Sequence, residues 1–336
     1  MQALRRLIKL FIAYGLYYSG VLYLLCRIRL RGRAVVLTYH RVIEDDKLAL
    51  SHSSPGIIVH KDVFEQHFTV IKRYLKPLSI EQFQEYFSAR KPLPNRSCLL
   101  TFDDGWLDNY ETALPILLKH RVPAVIFLPF NYVSSKQMFW QEELMLRLSY
   151  LLSTDNREDH RFVKELAALE HNPRSEQLRD YVSALKSKSN PEINAILQLV
   201  RGRCHDNVMP DHYDRYMSWE QILEMQRKGI SFGSHTLSHR ILTNVSRDEC
   251  SRELNDSKAL LEAALGMPVE TIAYPNGDHS EQVDALTEQA GYTLGFTTEP
   301  GYVSSDTNAF TIPRINIHNN SSCNKAVFLC TIMGIF

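Results

Sequence analysis

From Val35 onward the chain repeats one pattern: an apolar run short enough for a strand, then an amphipathic stretch long enough for a helix. The runs are VVLTYH (35–40), CLLTF (98–102), PAVIFLPF (123–130), ISFGSH (230–235) and TIAYP (271–275). Helical stretches fall at 62–76, 109–120, 247–265 and 281–290. Short apolar runs continue to Ile317, so that about seven strands are countable. Such alternation demands a parallel sheet with crossover helices, and that number suits a closed or nearly closed (β/α) barrel. Barrels of this kind gather their chemistry at the C-terminal ends of the strands. The strand signal stops between Trp140 and Met217, where charged helical segments stand instead, such as Arg161–Glu170 and Ser175–Lys188, with Pro191 opening another. This reads as a helical insertion over about 141–217, either a solvated decoration or a lid. Trp140 and Trp219, just outside the motifs, are read as core rather than as sugar-stacking surfaces.

Residues 99–106, LLTFDDGW, end an apolar run in two adjacent acids and a glycine. Side chains alternate along a strand, so Asp103 and Asp104 should diverge, one toward a metal and the other toward a substrate. Far downstream, SHTLSH (234–239) supplies His235 and His239 four apart, the spacing that stacks imidazoles on one face of a helical turn. One carboxylate and two imidazoles with a position left for water are the set of a hydrolytic rather than a structural metal site.

The pairing of TFDDG (101–105) with SHTLSH (234–239) resembles the polysaccharide deacetylases, the NodB-homology group of carbohydrate esterases, over roughly Val35 to Ile317. The resemblance implies a distorted seven-stranded (β/α) barrel. It also implies a metal-dependent hydrolase that removes acetyl groups from N-acetylated sugars of a polysaccharide or envelope glycoconjugate. Asp104, His235 and His239 would hold the divalent ion and Asp103 would be the general base. Zinc is the first choice of metal, and the ligand set also admits iron, cobalt or nickel. The family's third motif usually carries an arginine ahead of Pro-Tyr-Gly. Here the stretch is Ile272-Ala273-Tyr274-Pro275-Asn276-Gly277, with Ala273 in the arginine's place, and Arg314 in TIPRINI is the expected replacement. Motifs of this AYP type resemble a branch that includes the poly-N-acetylglucosamine deacetylases. If that circularly permuted branch applies, His40 at the end of the first strand is the general acid, with His318 as its rival. Tyr39, Tyr274, Pro275 and Arg314 are expected to line the substrate. Two other readings stay open: a deformylase or deacetylase of a lipid-linked sugar, and a non-catalytic glycan-binding protein on the same fold.

At 336 residues the chain can hold one large α/β domain, and 44% hydrophobic with 23% charged residues excludes global disorder. Lysine and arginine together number 38, as do aspartate and glutamate, which leaves no net field to attract nucleic acid. Six cysteines lack CxxC spacing, so neither a zinc ribbon nor a disulfide framework is expected; the usage leans cytoplasmic, and Cys98 reads as a buried small hydrophobe. Residues 1–33 stand apart. Leu7 to Cys26 is apolar over about 20 residues, a bilayer-spanning length, yet Lys9, Gly15, Ser19, Gly20 and four tyrosines dilute it. Arg5, Arg6, Arg27, Arg29, Arg31 and Arg33 flank it, and no small-residue cleavage site follows. The expectation is a helix on an anionic membrane face or a tilted anchor, at a bacterial inner membrane with the side left open. The other reading is a helix packed on its own domain. Residues 34–336 would then be the catalytic domain, separable from the segment before it. Oligomeric state is not legible.

Overall fold

Seven parallel strands form one curled sheet, in the order β10, β1, β5, β6, β7, β8, β9. They are β1 (Ala34–Tyr39), β5 (Ser97–Phe102), β6 (Val125–Leu128), β7 (Ser231–Ser234), β8 (Thr271–Ala273), β9 (Leu294–Phe296) and β10 (Ile315–Asn316). A short β4 (Lys76–Pro77) flanks β5, while β2 (Arg41–Ile43) and β3 (Ile58–His60) make a separate pair. A parallel bridge from Phe296 to Ile312 carries the sheet from β9 back toward β10, as barrel closure requires. The computed structural model describes residues 2–169, 174–204 and 214–336.

Both faces of the sheet are buried, which is why its strands read as unbroken apolar runs. Val36, Leu99, Val125, Phe127, Ala273 and Phe296 form one cluster, the barrel interior. Their neighbours Val35, Leu37, Tyr39, Cys98, Leu100, Ile126, Ile272 and Tyr274 form the other, beneath the helices. Those helices include α3 (Lys61–Tyr74), α5 (Leu114–His120), α10 (Trp219–Arg227), α11 (Arg247–Leu265), α12 (Glu281–Gln289), α13 (Asn319–Ser322) and α14 (Lys325–Ile332), whereas α4 (Ile80–Ser88) sends Ile80 and Phe83 into the interior cluster. Local signals set their ends. Ser246 accepts from the Glu249 N–H at the start of α11, and Gly266, at φ 67°, closes it in the left-handed conformation glycine adopts freely. The expected helix over 109–120 instead begins as a π-turn over Asn109–Ala113 before α5.

Residues 1–33 are not a separate segment. Helices α1 (Gln2–Tyr18) and α2 (Val21–Arg29) belong to the same compact unit as the barrel, which comprises Met1–Asp46, Pro55–Ser135 and Tyr216–Phe336. Ala13, Leu22, Cys26 and Leu30 are buried in the barrel's outer core, and α1 packs on α14, whose residues from Ala326 to Ile332 are all buried. Arg29 donates to the Met333 carbonyl, and the Arg96 N–H donates to the Leu30 carbonyl at 2.8 Å. The domain boundary expected at residue 34 therefore has no structural counterpart.

The second unit comprises Lys47–Ser54 and Lys136–Arg215. It carries α6 (Trp140–Ser153), α7 (Arg157–Leu166), α8 (Ser175–Ala184) and α9 (Asn190–Arg203) around a core of Leu144, Leu148, Val163, Val182 and Leu197. Residues 170–173 and 205–213 of the expected insertion lie outside the described residues. Trp140 packs partly buried against this core. Trp219 packs at 5.4 Å on the Phe130 ring. All six cysteines are free, Cys98 fully buried among them.

Candidate active site

The two carboxylates diverge by a backbone device rather than by alternation alone. Thr101 faces the barrel interior and Phe102 the helices, so Asp103, next along, faces inward at the mouth. Asp104 then turns into the left-handed region at φ 74°, a conformation that aspartate tolerates better than most residues and that stores strain typical of functional positions. Gly105 follows at φ 67°, and a Cβ there would lie 2.8 Å from Leu128 Cδ2. The DDG sequence is thus needed for the turn as well as for its charges.

His235 and His239 reach Asp104 from the loop after β7. That loop is not the helical turn their spacing suggested: Thr236 (φ 68°) and His239 (φ 56°) are both left-handed. It nonetheless brings Nε2 of His235 to 3.4 Å and Nε2 of His239 to 3.2 Å from Asp104 Oδ1. One ligand atom from each of the three residues falls within 4.8 Å of the others, a spacing able to share one cation. Their outer partners fit that use. His235 Nδ1 lies 2.7 Å from the Ala273 carbonyl, which only accepts, so Nδ1 carries the proton and Nε2 keeps its lone pair for an ion. The Trp106 indole N–H donates to Asp104 Oδ2 at 3.0 Å, leaving Oδ1 to face the histidines. Buried Glu253 of α11 accepts from the backbone N–H groups of Leu237 (3.0 Å) and Ser238 (2.9 Å) and from the Ser238 hydroxyl, pinning the loop between the two histidines. Burial raises the Asp104 carboxyl, but hydrogen bonds from His235 and His239 outweigh it and hold the group well below the usual carboxylate range.

Asp103 is gripped by Arg314, which is itself fully buried. The guanidinium donates to both carboxylate oxygens at 2.8 Å, to the Thr297 carbonyl at 2.8 Å and to the Thr101 hydroxyl at 3.3 Å. Burial raises the Asp103 carboxyl too, and the guanidinium, with His235 and His40, overcomes it and keeps the group ionised below its ordinary value. Arg314, just ahead of β10, thus holds Asp103 from a distant part of the chain. It does so as Asp103's partner, with no exposed face for a substrate. Nε2 of His40 lies 3.9 Å from Asp103 Oδ2. Burial lowers the His40 pKa, against the pull of Asp104 and Asp103, and its buried Nδ1 has no hydrogen-bond partner among the described residues. His318 begins α13 instead, where burial and nearby Lys9 lower its pKa.

Tyr39, Tyr274 and Pro275 do not line a substrate surface. Both tyrosines are fully buried in the layer between sheet and helices. The Tyr39 hydroxyl meets His67 Nδ1 at 3.2 Å, and the Tyr274 ring lies against Gly295. Pro275 is buried at the start of a 3-10 turn. Alternation already excluded the tyrosines: if His40 faces the mouth, Tyr39 faces the helices, and Ala273 and Tyr274 divide the same way. Three residues went unread in the sequence. Trp106 sat inside the quoted motif with no role, and Glu253 is one acid among several on an amphipathic helix. Arg41 is fully buried, pairs with Asp108 at 2.9 Å and lies over the Trp106 ring at 4.3 Å.

Barrel, strand-end carboxylates and converging histidines together define a deacetylase-type hydrolase site. The family model for polysaccharide deacetylases matches residues 90–168 and 176–295, more than half of the chain, and the protein belongs to that family. Among curated proteins it is similar to YxkH of Bacillus subtilis (strain 168), 24% identical over 67% of this chain and 53% of that one, so the match spans about half of the relative. It is also similar to the poly-beta-1,6-N-acetyl-D-glucosamine N-deacetylase of Staphylococcus aureus (strain MSSA476), 22% identical over 86% of this chain and 80% of that one. Among solved structures, the Streptococcus pyogenes deacetylase PplD in complex with acetate superposes with a TM-score of 0.59 at 20% identity, covering 89% of this chain and 98% of the other. IcaB from Ammonifex degensii does so with 0.57 at 19% identity, covering 90% and 99%. Both likenesses are of fold.

Proposed function

We propose that the protein hydrolyses the acetamide of N-acetylated sugars in a glycan, with poly-β-1,6-N-acetylglucosamine the first substrate to test. The observation that carries this is one barrel mouth where the ends of β5 and β7 bring together a three-ligand cluster and a second carboxylate fixed by a buried arginine. Asp104, His235 and His239 would hold a divalent ion, zinc in the first instance. When bound, such an ion supplies Lewis acidity toward the acetyl oxygen and acidifies a water. Asp103, kept ionised and oriented by Arg314, accepts the proton of the attacking water as the new carbon–oxygen bond forms. His40 delivers a proton to the sugar nitrogen as the carbon–nitrogen bond breaks; burial, by lowering its pKa, makes its imidazolium a stronger donor. The products are acetate and a free amine. The substrate in the name of the Staphylococcus aureus relative supports the choice of glycan, and the IcaB likeness supports the barrel that would hold it.

The test is acetate release from N-acetylglucosamine oligomers, with bound metal quantified alongside. Wild type should release acetate with one ion bound, and Asp104→Ala, His235→Ala and His239→Ala should each lose both ion and turnover. Full metal occupancy in all three variants overturns the ligand assignment. Glycan binding with metal retained and no acetate released overturns the enzymatic reading in favour of a glycan-binding protein, and formate release from a formylated lipid-linked sugar redirects it.

A further inference from the structure

The pair α1–α2 has two faces, and only one of them is explained by packing. The inner face carries Ala13, Leu22, Cys26 and Leu30 into the barrel's outer core. The outer face leaves ten of the sixteen large hydrophobic residues exposed among the described residues within positions 7–28, with Phe11 82% and Tyr18 79% exposed. Leu7, Phe11, Tyr14 and Tyr18 recur at three- and four-residue spacing, which makes one stripe along α1, and Leu24 and Ile28 extend it onto α2. A stripe of this kind on a folded protein has a partner.

Two observations choose among partners. The first is length. The helices bend by 78° at Ser19–Gly20, where Gly20 is left-handed at φ 79°. With 17 and 9 residues, they extend about 26 Å and 14 Å, each short of an ~30 Å hydrocarbon core. No single helix among the described residues is long and apolar enough to cross a membrane. With their inner faces held by α14 and Arg96, they cannot straighten without opening the core. The second is charge. Residues 1–33 contain Arg5, Arg6, Lys9, Arg27, Arg29, Arg31 and Arg33 and no acidic residue. A second copy docking by the same face would set like charges against each other, whereas an anionic lipid surface would attract them. Tyrosines 14, 18 and 23, all on the exposed side, suit the headgroup level.

We propose that α1–α2 docks the barrel on an anionic lipid surface as an in-plane bent pair, its outer stripe entering the acyl boundary while its inner face stays in the core. This inference does not rest on the hydrolase reading. It is tested by flotation of the full chain with vesicles of phosphatidylcholine alone and of phosphatidylcholine with phosphatidylglycerol. Two surface variants are compared, Phe11→Ser with Leu24→Ser and Arg27→Gln with Arg31→Gln and Arg33→Gln. Circular dichroism and metal content confirm that each remains folded. Wild type should float with the anionic vesicles, and each variant should partition at least about tenfold less. Equal flotation on both vesicle types overturns the role of charge. Absence of flotation, or flotation unaffected by the Phe11 and Leu24 changes, overturns the docking itself. So does a concentration-dependent dimer that those two changes dissociate, since a second copy would then cover the stripe.

Discussion

Replacing Arg314 by Gln removes the only guanidinium bonded to Asp103 among the described contacts while keeping a side chain of related length. The charge centres of this two-bond pair lie about 4 Å apart, which at an effective dielectric near 20 corresponds to about 4 kcal/mol. Loss of an attraction of that size raises the Asp103 carboxyl. Burial pushes the same way once the cation is gone. The sign follows directly. In the wild type, Asp103 is depressed, so its contribution to stability is present above the unfolded-state value near 4 and is lost as the pH falls through the lower folded value. In Arg314→Gln the folded value lies above the unfolded one, so the buried carboxylate destabilises at neutral pH and acidification relieves it. Breaking a buried pair at one end costs about 3–5 kcal/mol in stability. Denaturant unfolding measures that cost, and the acid limb of kcat/KM for acetate release, which should move to higher pH, measures the titration. Arg314→Lys keeps the charge without the paired bonds and should move the limb less, which covers the case in which Arg314→Gln does not fold. An acid limb at the wild-type position in both variants, with activity intact, would refute the reasoning.

Other consequences follow from the same geometry. Asp103→Asn should keep its metal and lose about 10²–10⁴-fold in rate, and retention of more than a third of wild-type activity would remove Asp103 as the base. His40→Ala should retain metal and lose most activity on sugar amides but far less on an activated aryl acetate, whose leaving group needs no proton. The same pattern from His318→Ala, with His40→Ala silent, would transfer the acid role. Glu253→Gln keeps shape but weakens the bonds pinning the Leu237–Ser238 turn, so metal affinity measured by competition with a chelator should fall about 10–100-fold with the fold intact; unchanged affinity would make Glu253 merely structural. Deleting residues 1–31 takes buried Ala13, Leu22, Cys26 and Leu30 out of the outer core and removes the packing of α1 on α14, whose residues from Ala326 to Ile332 are all buried. At about 1.5–3 kcal/mol per buried apolar side chain this should yield an unstable, aggregating chain, contrary to the separability that the sequence pattern suggests, and a soluble, cooperatively unfolding fragment would reverse that reading.

Much of this protein follows from local rules acting on its sequence. Strand runs buried on both faces, a helix cap at Ser246, and an acid pair followed by glycine at a strand end are determined by neighbours a few residues apart, so the parallel barrel and the positions of Asp103, Asp104, His235 and His239 are legible without coordinates. Alternation even contained the answer for Tyr39 and Tyr274, which point away from the mouth because His40 and Ala273 point the other way. What the tertiary structure alone decided are pairings across long stretches of chain. Arg314 reaches Asp103 from 211 positions away because β10, β1 and β5 lie side by side. Glu253 holds the histidine loop only because α11 folds back over it. The imidazoles converge through left-handed backbone that a four-residue spacing cannot reveal. The apolar stretch near Leu7–Cys26 was ambiguous for the same reason: hydrophobicity along a sequence does not say which face of a helix a distant partner will cover, and α14, some three hundred residues on, covers only one.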